Sequence, residues 1–400
     1  MTKVYPSKKI GELCLTTDYV ANGSFAALKE NVTYLDRPDY AILVRLTDYT
    51  KGWNGKYVYV SQEAYKFLSK SEVFPGDIVV ANVGDPGKVF IVPDLGKPMT
   101  LGPNSILVRA ISKELDSGYL ARFLGSPSGQ EMIRGITSAT AQRKFNKTSF
   151  RELKIPLPPL PEQKRIAAIL DKADAIRRKR QQAIQLADDF LRAVFLDMFG
   201  ELVTSSGYAN SQKYKLLELV DYIDYRGKTP EKSESGIPLI TAKNVKSGYV
   251  DDEPREYIPE ENYDAWMTRG FPRKNDVLFT TEAPLGNVAL LGEYEKVAIG
   301  QRLVALRSKG KVTHEYLLFL LLHPFIQDLI YARSSGSTVK GIRTKELYAI
   351  ELPVPDMQKQ REFSAVYWKS KSLTSNQESA HQLDVLNFSA LSQKAFAGQL

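Results

Sequence analysis

The chain states the same pattern twice, and each copy ends in a proline-rich lead-in to a long helical run. Lys154-Ile155-Pro156-Leu157-Pro158-Pro159-Leu160-Pro161-Glu162-Gln163 closes a mixed segment and opens a run that reads as helix to about Gly200. Glu351-Leu352-Pro353-Val354-Pro355-Asp356-Met357-Gln358-Lys359-Gln360 does the same and runs to Leu400. Anchors recur between the copies in one order. Arg45-Leu46-Thr47-Asp48 lies over Thr241-Ala242-Lys243-Asn244, and Asp77 over Asp276. Gly87 meets Gly286, Gly102 meets Gly300, Tyr119-Leu120 meets Tyr316-Leu317, and Pro156 meets Pro353. Preserved order across so many anchors means internal duplication, which sets the architecture before any local element is read. A globule–helix–globule–helix chain offers two similar heads and two similar rods, suited to reading two separated patches of one extended ligand.

Inside each copy, short β-branched runs alternate with turn signals. Ala41–Leu46, Tyr57–Val60, Asp77–Ala81 and Ser105–Arg109 read as strands, with Gly84-Asp85-Pro86-Gly87 and Gly102-Pro103-Asn104 as turns and a helix over Ser117–Ile133. The second copy gives strands near Pro238–Ile240, Asp276–Thr280 and Leu303–Leu306 and a helix near His314–Leu329. Domains are expected at 1–158 (first head), 159–200 (first rod), 201–211 (a Gly/Ser-rich linker), 212–355 (second head) and 356–400 (second rod). The fold class is α+β, two mixed α/β heads with two long helices in a pseudo-two-fold repeat.

On the first rod Ile166, Ile169, Ala173, Ile176, Ala183, Ala187, Phe190 and Val194 recur at spacings of three and four, with Arg180 as the one charged interruption. That is a heptad seam. On the second rod Phe363, Val366, Ser370, Leu373 and Ala380 keep the spacing, and the stripe then shifts to Leu383, Leu386 and Ala390. The rods are expected to pair as an antiparallel coiled coil; the alternative is that each packs only on its own head.

Signs of catalysis are missing. The three histidines, His314, His323 and His381, suggest neither a metal cluster nor a triad base. Gly84-Asp85-Pro86-Gly87-Lys88-Val89 has the wrong spacing for a P-loop and lacks its Ser/Thr. Leu157-Pro158-Pro159-Leu160 lacks the amide or acid and the ring of an adenine-methylation loop, and a nuclease set drawn from Asp94, Glu152 and Lys154 has no counterpart lysine in the second copy. Single Cys14 excludes an internal disulfide, and no apolar run approaches the roughly 20 residues that span a bilayer. With no signal-peptide pattern after Met1, a cytoplasmic location without membrane contact is expected.

What remains is a binding surface. Net charge is +8 with a pI near 9.1, compatible with a polyanion. Basic residues gather before each lead-in, with Arg143, Lys144 and Lys147 in one copy and Lys340, Arg343 and Lys345 in the other. Small hydroxyl residues precede both sets, and hydroxyls, amides and Lys/Arg are good phosphate ligands. Two further loops, with Arg226 and Lys228 in one and Lys243 and Asn244 in the other, offer donors for base edges.

Taken together, the lead-in Ile155-Pro156-Leu157-Pro158-Pro159-Leu160-Pro161-Glu162-Gln163-Lys164-Arg165-Ile166-Ala167 with its helical continuation, Gly336-Ser337-Thr338 before Leu352-Pro353-Val354-Pro355, and Asp224-Tyr225-Arg226-Gly227-Lys228-Thr229-Pro230 resemble the specificity subunit of type I restriction–modification systems over nearly the whole chain. The resemblance implies a non-catalytic subunit whose heads are target recognition domains. Each would read one half of an asymmetric, bipartite sequence in double-stranded DNA. It further implies rods that act as spacer and as docking surface for two methylation subunits and, in the full complex, two restriction subunits. Cofactors are implied only for those partners: S-adenosylmethionine for methylation, ATP and Mg2+ for translocation and cleavage. A coiled-coil scaffold with two protein-binding heads is the alternative reading.

Overall fold

In the first head the β-branched runs form strands whose central members are buried on both faces, which is why they read as continuous apolar stretches rather than alternating ones. The computed structural model describes residues 5–139, 142–225 and 229–400. The chain divides into two compact units, Met1–Gln181 with Ser379–Leu400, and Gln182–Glu378. The boundary falls inside both long helices.

The first unit contains β1 (Ser7–Lys9), β2 (Cys14–Asp18), β3 (Ala41–Val44), β4 (Val58–Val60), β5 (Glu72–Val73), β6 (Ile78–Ala81), β7 (Val89–Ile91), β8 (Met99–Leu101), β9 (Ser105–Ala110) and β10 (Lys154–Pro156). One sheet has the order β2-β9-β6-β7 and is antiparallel throughout. The other has the order β4-β3-β8-β5, with β3 and β8 parallel. β1 pairs with β10, Ser7 opposite Pro156, and so fastens the start of the head to the lead-in of the long helix.

The second unit repeats this plan. Its strands are β11 (Lys213–Lys215), β12 (Val220–Asp224), β13 (Ile237–Ile240), β14 (Tyr257–Ile258), β15 (Val277–Thr280), β16 (Val288–Leu290), β17 (Ala298–Ile299), β18 (Leu303–Ser308) and β19 (Glu351–Pro353). The sheets are ordered β12-β18-β15-β16, β14-β13-β17 and β11-β19.

The recurring anchors recur because each solves the same bonding problem. Asp77 and Asp276 are buried carboxylates that each take a two-pronged bond from an arginine on the neighbouring strand. Arg109 Nε and Nη2 lie 2.8 and 2.6 Å from Asp77, and Arg307 Nε and Nη2 lie 2.9 and 2.7 Å from Asp276. Gln130 and Gln327 each donate to the carbonyl of the matched glycine, Gly87 and Gly286. Tyr119 and Tyr316 hydroxyls donate to Pro156 and Pro353 carbonyls at 2.8 and 2.9 Å.

Three local expectations change. The helix read over Ser117–Ile133 is two, Ser117–Gly125 and Pro127–Ile136. Pro127 cannot extend the first, and it opens the second with Ser126 as cap, its Oγ accepting from Gly129 N–H. Gly129 is needed there, since a Cβ would stand 2.1 Å from the Phe123 carbonyl oxygen. Likewise His314–Leu322 ends at His323, and Pro324–Ala332 begins anew. The stretch 201–211 is not bare linker. It holds a turn of 3-10 helix, Gly200–Val203, and a short helix, Ser205–Asn210, started by Thr204.

Each lead-in delivers a forty-residue helix, Leu160–Phe199 and Met357–Phe396. In the first unit the opening part of the first helix runs opposite to the closing part of the second. Arg180 Nε lies 3.3 Å from Asp384, and the Arg177 guanidinium lies 5.5 Å from the Phe388 ring. In the second unit the remaining parts also run opposite, with Lys371 Nζ 3.4 Å from Asp188 and the Phe195 and Phe363 rings 5.6 Å apart.

The seam departs from the sequence expectation. Ile166 is buried, and Ile169, Ala173, Ala187 and Val194 are half-buried, but Ile176, Ala183 and Phe190 are exposed. The buried face instead follows Gln163, Ala167, Leu170, Asp174 and, in the second unit, Leu191 and Phe195. On the second helix Phe363 is buried and Val366 half-buried, whereas Leu373 is exposed and Ser370 and Thr374 are buried.

The physical reason is that polar residues occupy the seam. Asp174 is 2% exposed and receives Arg122 Nη1 at 3.0 Å from the first head and Arg177 Nη2 at 2.7 Å from its own helix. Burial pushes its carboxyl up, but the Arg177 and Arg122 hydrogen bonds and the charges of Arg122 and Arg178 together hold it below the usual carboxylate range. Where the apolar pattern sees a gap, three arginines make a satisfied buried charge.

Candidate nucleic-acid interface

Each head builds its exposed rim from three short segments joined through one residue at the end of a central strand. In the first head that residue is Asn82, just after β6. Its N–H donates to the Asn104 carbonyl at 3.0 Å, its carbonyl accepts from Phe145 N–H at 3.1 Å, and its Nδ2 donates to the Phe145 carbonyl at 3.2 Å. Val83 then forms an antiparallel bridge with Lys144, so Arg143 and Lys144 extend the sheet edge. The Phe145 and Phe150 rings, 5.7 Å apart and stacked, anchor that strip to the core.

Arg143 and Lys144 point away from the core and are exposed. Lys147 is only half-exposed, with Nζ 3.2 Å from Asp18 at the end of β2. The strip therefore presents two side chains of the three expected. Changing Arg143 and Lys144 together to alanine is expected to weaken DNA binding and flatten its salt dependence by up to about 0.9 log units per lost phosphate contact. Titrating one duplex at several salt concentrations measures the slope; an unchanged slope places both side chains off the phosphates.

In the second head the joining residue is Thr281, just after β15. Its N–H donates to the Arg302 carbonyl at 3.0 Å, and its carbonyl accepts from Ile342 N–H at 2.9 Å. Glu282 bridges Gly341, and Gly341 also pairs back on Ser335 in a tight hairpin. Gly336 has φ +103 in that hairpin, and a Cβ there would stand 2.1 Å from the Val339 carbonyl oxygen. The segments enclose a cleft of 390 Å³ floored by Thr281, Glu282 and Gln301 and walled by the hairpin and Arg343. Lys340, Arg343 and Lys345 are all exposed on this strip. Thr344 Oγ1 donates to Asp224 at 3.0 Å, taking the place that Lys147 holds beside Asp18.

The remaining candidates divide. Lys243 is exposed, with Nζ 3.3 Å from Glu256. Asn244 is 2% exposed and is a structural residue, which corrects the expectation that it offers donors to a base edge. Its Oδ1 accepts from Thr241 N–H at 3.0 Å, and its Nδ2 donates to the Asp251 and Pro254 carbonyls. The amide closes its own turn as Asp48 does in the first head, where Oδ2 accepts from Arg45 N–H at 2.9 Å. Arg226 and Lys228 lie outside the described residues.

Sequence reasoning missed Asn104, Glu282, Gln301 and Arg302. The signal was the register itself, since aligning Gly102 with Gly300 places Asn104 opposite Arg302.

Among the described residues no group of three or more His, Cys, Asp or Glu is placed to hold a metal ion. His314 Nε2 accepts from Ser308 N–H, and His323 Nδ1 accepts from Phe325 N–H as a helix cap, with burial lowering its pKa. Glu152 is paired with Lys9 at 2.6 Å, and Asp94 closes a turn onto Gly96 N–H. Burial pushes the Cys14 thiol up to about 12, so it is inert. No helix among the described residues is long and apolar enough to cross a membrane.

Comparison with known proteins gives a consistent family. The profile described as the type I restriction modification DNA specificity domain matches residues 17–186 and again 209–366. The type I restriction enzyme EcoBI specificity subunit of Escherichia coli is 24% identical over 376 residues, 88% of this chain and 77% of the relative. The MjaVIII specificity subunit of Methanocaldococcus jannaschii is 22% identical over 334 residues, 77% of each. The crystal structure of a type I restriction–modification S subunit from M. genitalium superposes with a TM-score of 0.58 at 16% identity, covering 98% of this chain and 96% of that one, and so shares the fold.

Proposed function

The chain belongs to the type I restriction–modification DNA specificity family, the non-catalytic recognition components of their complexes, and we propose that its two heads read the two halves of one bipartite DNA target. A single observation carries this reading. Both heads use the same three-segment rim with the same backbone bonds, yet the exposed side chain on its turn beside the basic strip differs, Asn104 in one and Arg302 in the other. A shared frame with different exposed groups is what two readers of different sequences require.

The long helices supply the second part of the reading. Ile176, Leu383 and Leu386 in the first unit, and Leu186, Phe190 and Leu373 in the second, are exposed apolar side chains on helices. Exposed apolar stripes of this kind mark partner contacts. We assign them to two methylation subunits, which would bring S-adenosylmethionine, with two restriction subunits bringing ATP and Mg2+ chemistry to the larger complex.

Replacing residues 212–350 with the corresponding head of another family member tests the reading. Sequencing of methylated adenines in cells carrying the chimaera is expected to show one half of the motif changed and the other retained. A change in both halves, or in neither, refutes the assignment of one half-site to each head.

A further inference from the structure

We infer that the turn residue just before the last central strand of each head is its base reader, Arg302 for a guanine and Asn104 for an adenine. This rests on the reading of the heads given above and adds which residues choose the bases.

Both residues occupy the same slot. Asn104 precedes β9 and Arg302 precedes β18, and the carbonyl of each accepts from the joining residue of its rim, Asn82 or Thr281, at 3.0 Å. The slot is thus fixed by backbone bonds, while its side chain is exposed in both heads. Asn104 has φ +67, a conformation asparagine tolerates better than most residues. The slot stands beside the basic strip that would take the phosphates.

Arg302 is also aimed. Glu282 Oε1 lies 3.0 Å from Arg302 Nε, with the two side chains 49% and 47% exposed. This bond occupies the inner nitrogen and leaves the two terminal ones without a partner among the described residues, and the bonded Glu282 and the adjacent Gln301 both line the 390 Å³ cleft. A guanidinium held by its Nε presents a planar pair of donors, the shape that matches guanine O6 and N7. Asparagine presents one donor and one acceptor, which match adenine N7 and N6. In the first head Val83 stands where Glu282 stands in the second, so Asn104 has no carboxylate beside it from that position. That agrees with a reader whose own amide does both jobs.

The test uses the full chain assembled with its methylation subunits and a DNA library randomised across both half-sites. Bound sequences are compared for the unaltered protein, Arg302→Lys, Arg302→Ala, Glu282→Gln and Asn104→Ala. Arg302→Lys keeps the charge and removes the fork. It is expected to cost about tenfold in preference for guanine at one position of one half-site, leave the other positions alone, and keep the salt slope. Glu282→Gln is expected to blur that same position to a smaller extent. Asn104→Ala is expected to release an adenine in the other half-site only.

An unchanged consensus for Arg302→Lys and Arg302→Ala overturns the inference. So does a uniform loss of affinity for Arg302→Ala with a salt slope lower by about 0.9, the mark of a phosphate contact. If the unaltered protein selects no consensus at all, the assignment of DNA reading to the heads fails instead.

Discussion

Replacing Phe396 by alanine is expected to destabilise the first unit, although the residue lies at the far end of the sequence from most of it. Its ring packs edge-on against Tyr119 at 5.5 Å and Phe123 at 5.2 Å, and it is 9% exposed. Ala395 beside it is buried in the same core. Phe-to-Ala changes in cores cost about 3–5 kcal/mol, and slight exposure places this one near 3 kcal/mol. For a unit of this size that corresponds to a melting shift of roughly 6–12 °C. Amide hydrogen exchange localises the effect. Protection is expected to fall at Ile78–Ala81 and Ser105–Ala110 and to hold at Val277–Thr280. Equal loss at both sites would show that Phe396 does not serve the first core specifically.

Gln360→Ala is the second large effect. The residue is fully buried at the start of its long helix, and all its amide functions are engaged. Its Oε1 accepts from Thr313 N–H at 2.9 Å, and its Nε2 donates to the Lys311 and Pro355 carbonyls at 3.2 and 2.9 Å. Gln163 repeats the set in the first unit, accepting from Asp116 N–H at 2.9 Å and donating to the Glu114 and Pro158 carbonyls at 2.7 and 2.8 Å. Truncation orphans three backbone groups where water has little access, at about 1–3 kcal/mol for each that stays unpaired. A net loss of about 3 kcal/mol is expected from either Gln360→Ala or Gln163→Ala, read by urea denaturation. Exposed Gln358→Ala is the control, with an expected change within about 0.5 kcal/mol. If Gln360→Ala behaves like the control, the glutamine does not clamp the joint between head and helix.

The duplication was legible because its anchors are residues that backbone and hydrogen-bond geometry cannot easily replace. Asp77 needs Arg109, Tyr119 needs the Pro156 carbonyl, and Gln163 needs three backbone groups, so each pairing survives in the second copy with Asp276, Tyr316 and Gln360. The helix seam was not legible from apolar spacing. Asp174 belongs on it only because the fold brings Arg122 to meet it, and nothing near Asp174 in the chain announces that meeting. The apolar stripe through Ile176, Ala183 and Phe190 is real, but it faces outward.

At the rim the basic strips were visible as composition and Gly102-Pro103-Asn104 as a turn, while the slot that Asn104 shares with Arg302 shows only when the two copies are laid in register. Asn244 carries the opposite lesson. An amide just after a strand reads as a free donor, yet its place three residues beyond Thr241 is what lets it bond its own turn.

Because Ser379–Leu400 belong to the first unit, the order in which the chain is made differs from the order in which its cores can close. All of the second unit, Gln182–Glu378, leaves the ribosome before the first has received its final segment. At roughly 5–20 residues per second, the wait is on the order of ten to forty seconds. During it the faces of Tyr119 and Phe123 that Phe396 will cover stay open on the nascent chain. The head made second is the first that can be finished, and a growing chain stalled within the last long helix carries one closed head and one that is still waiting.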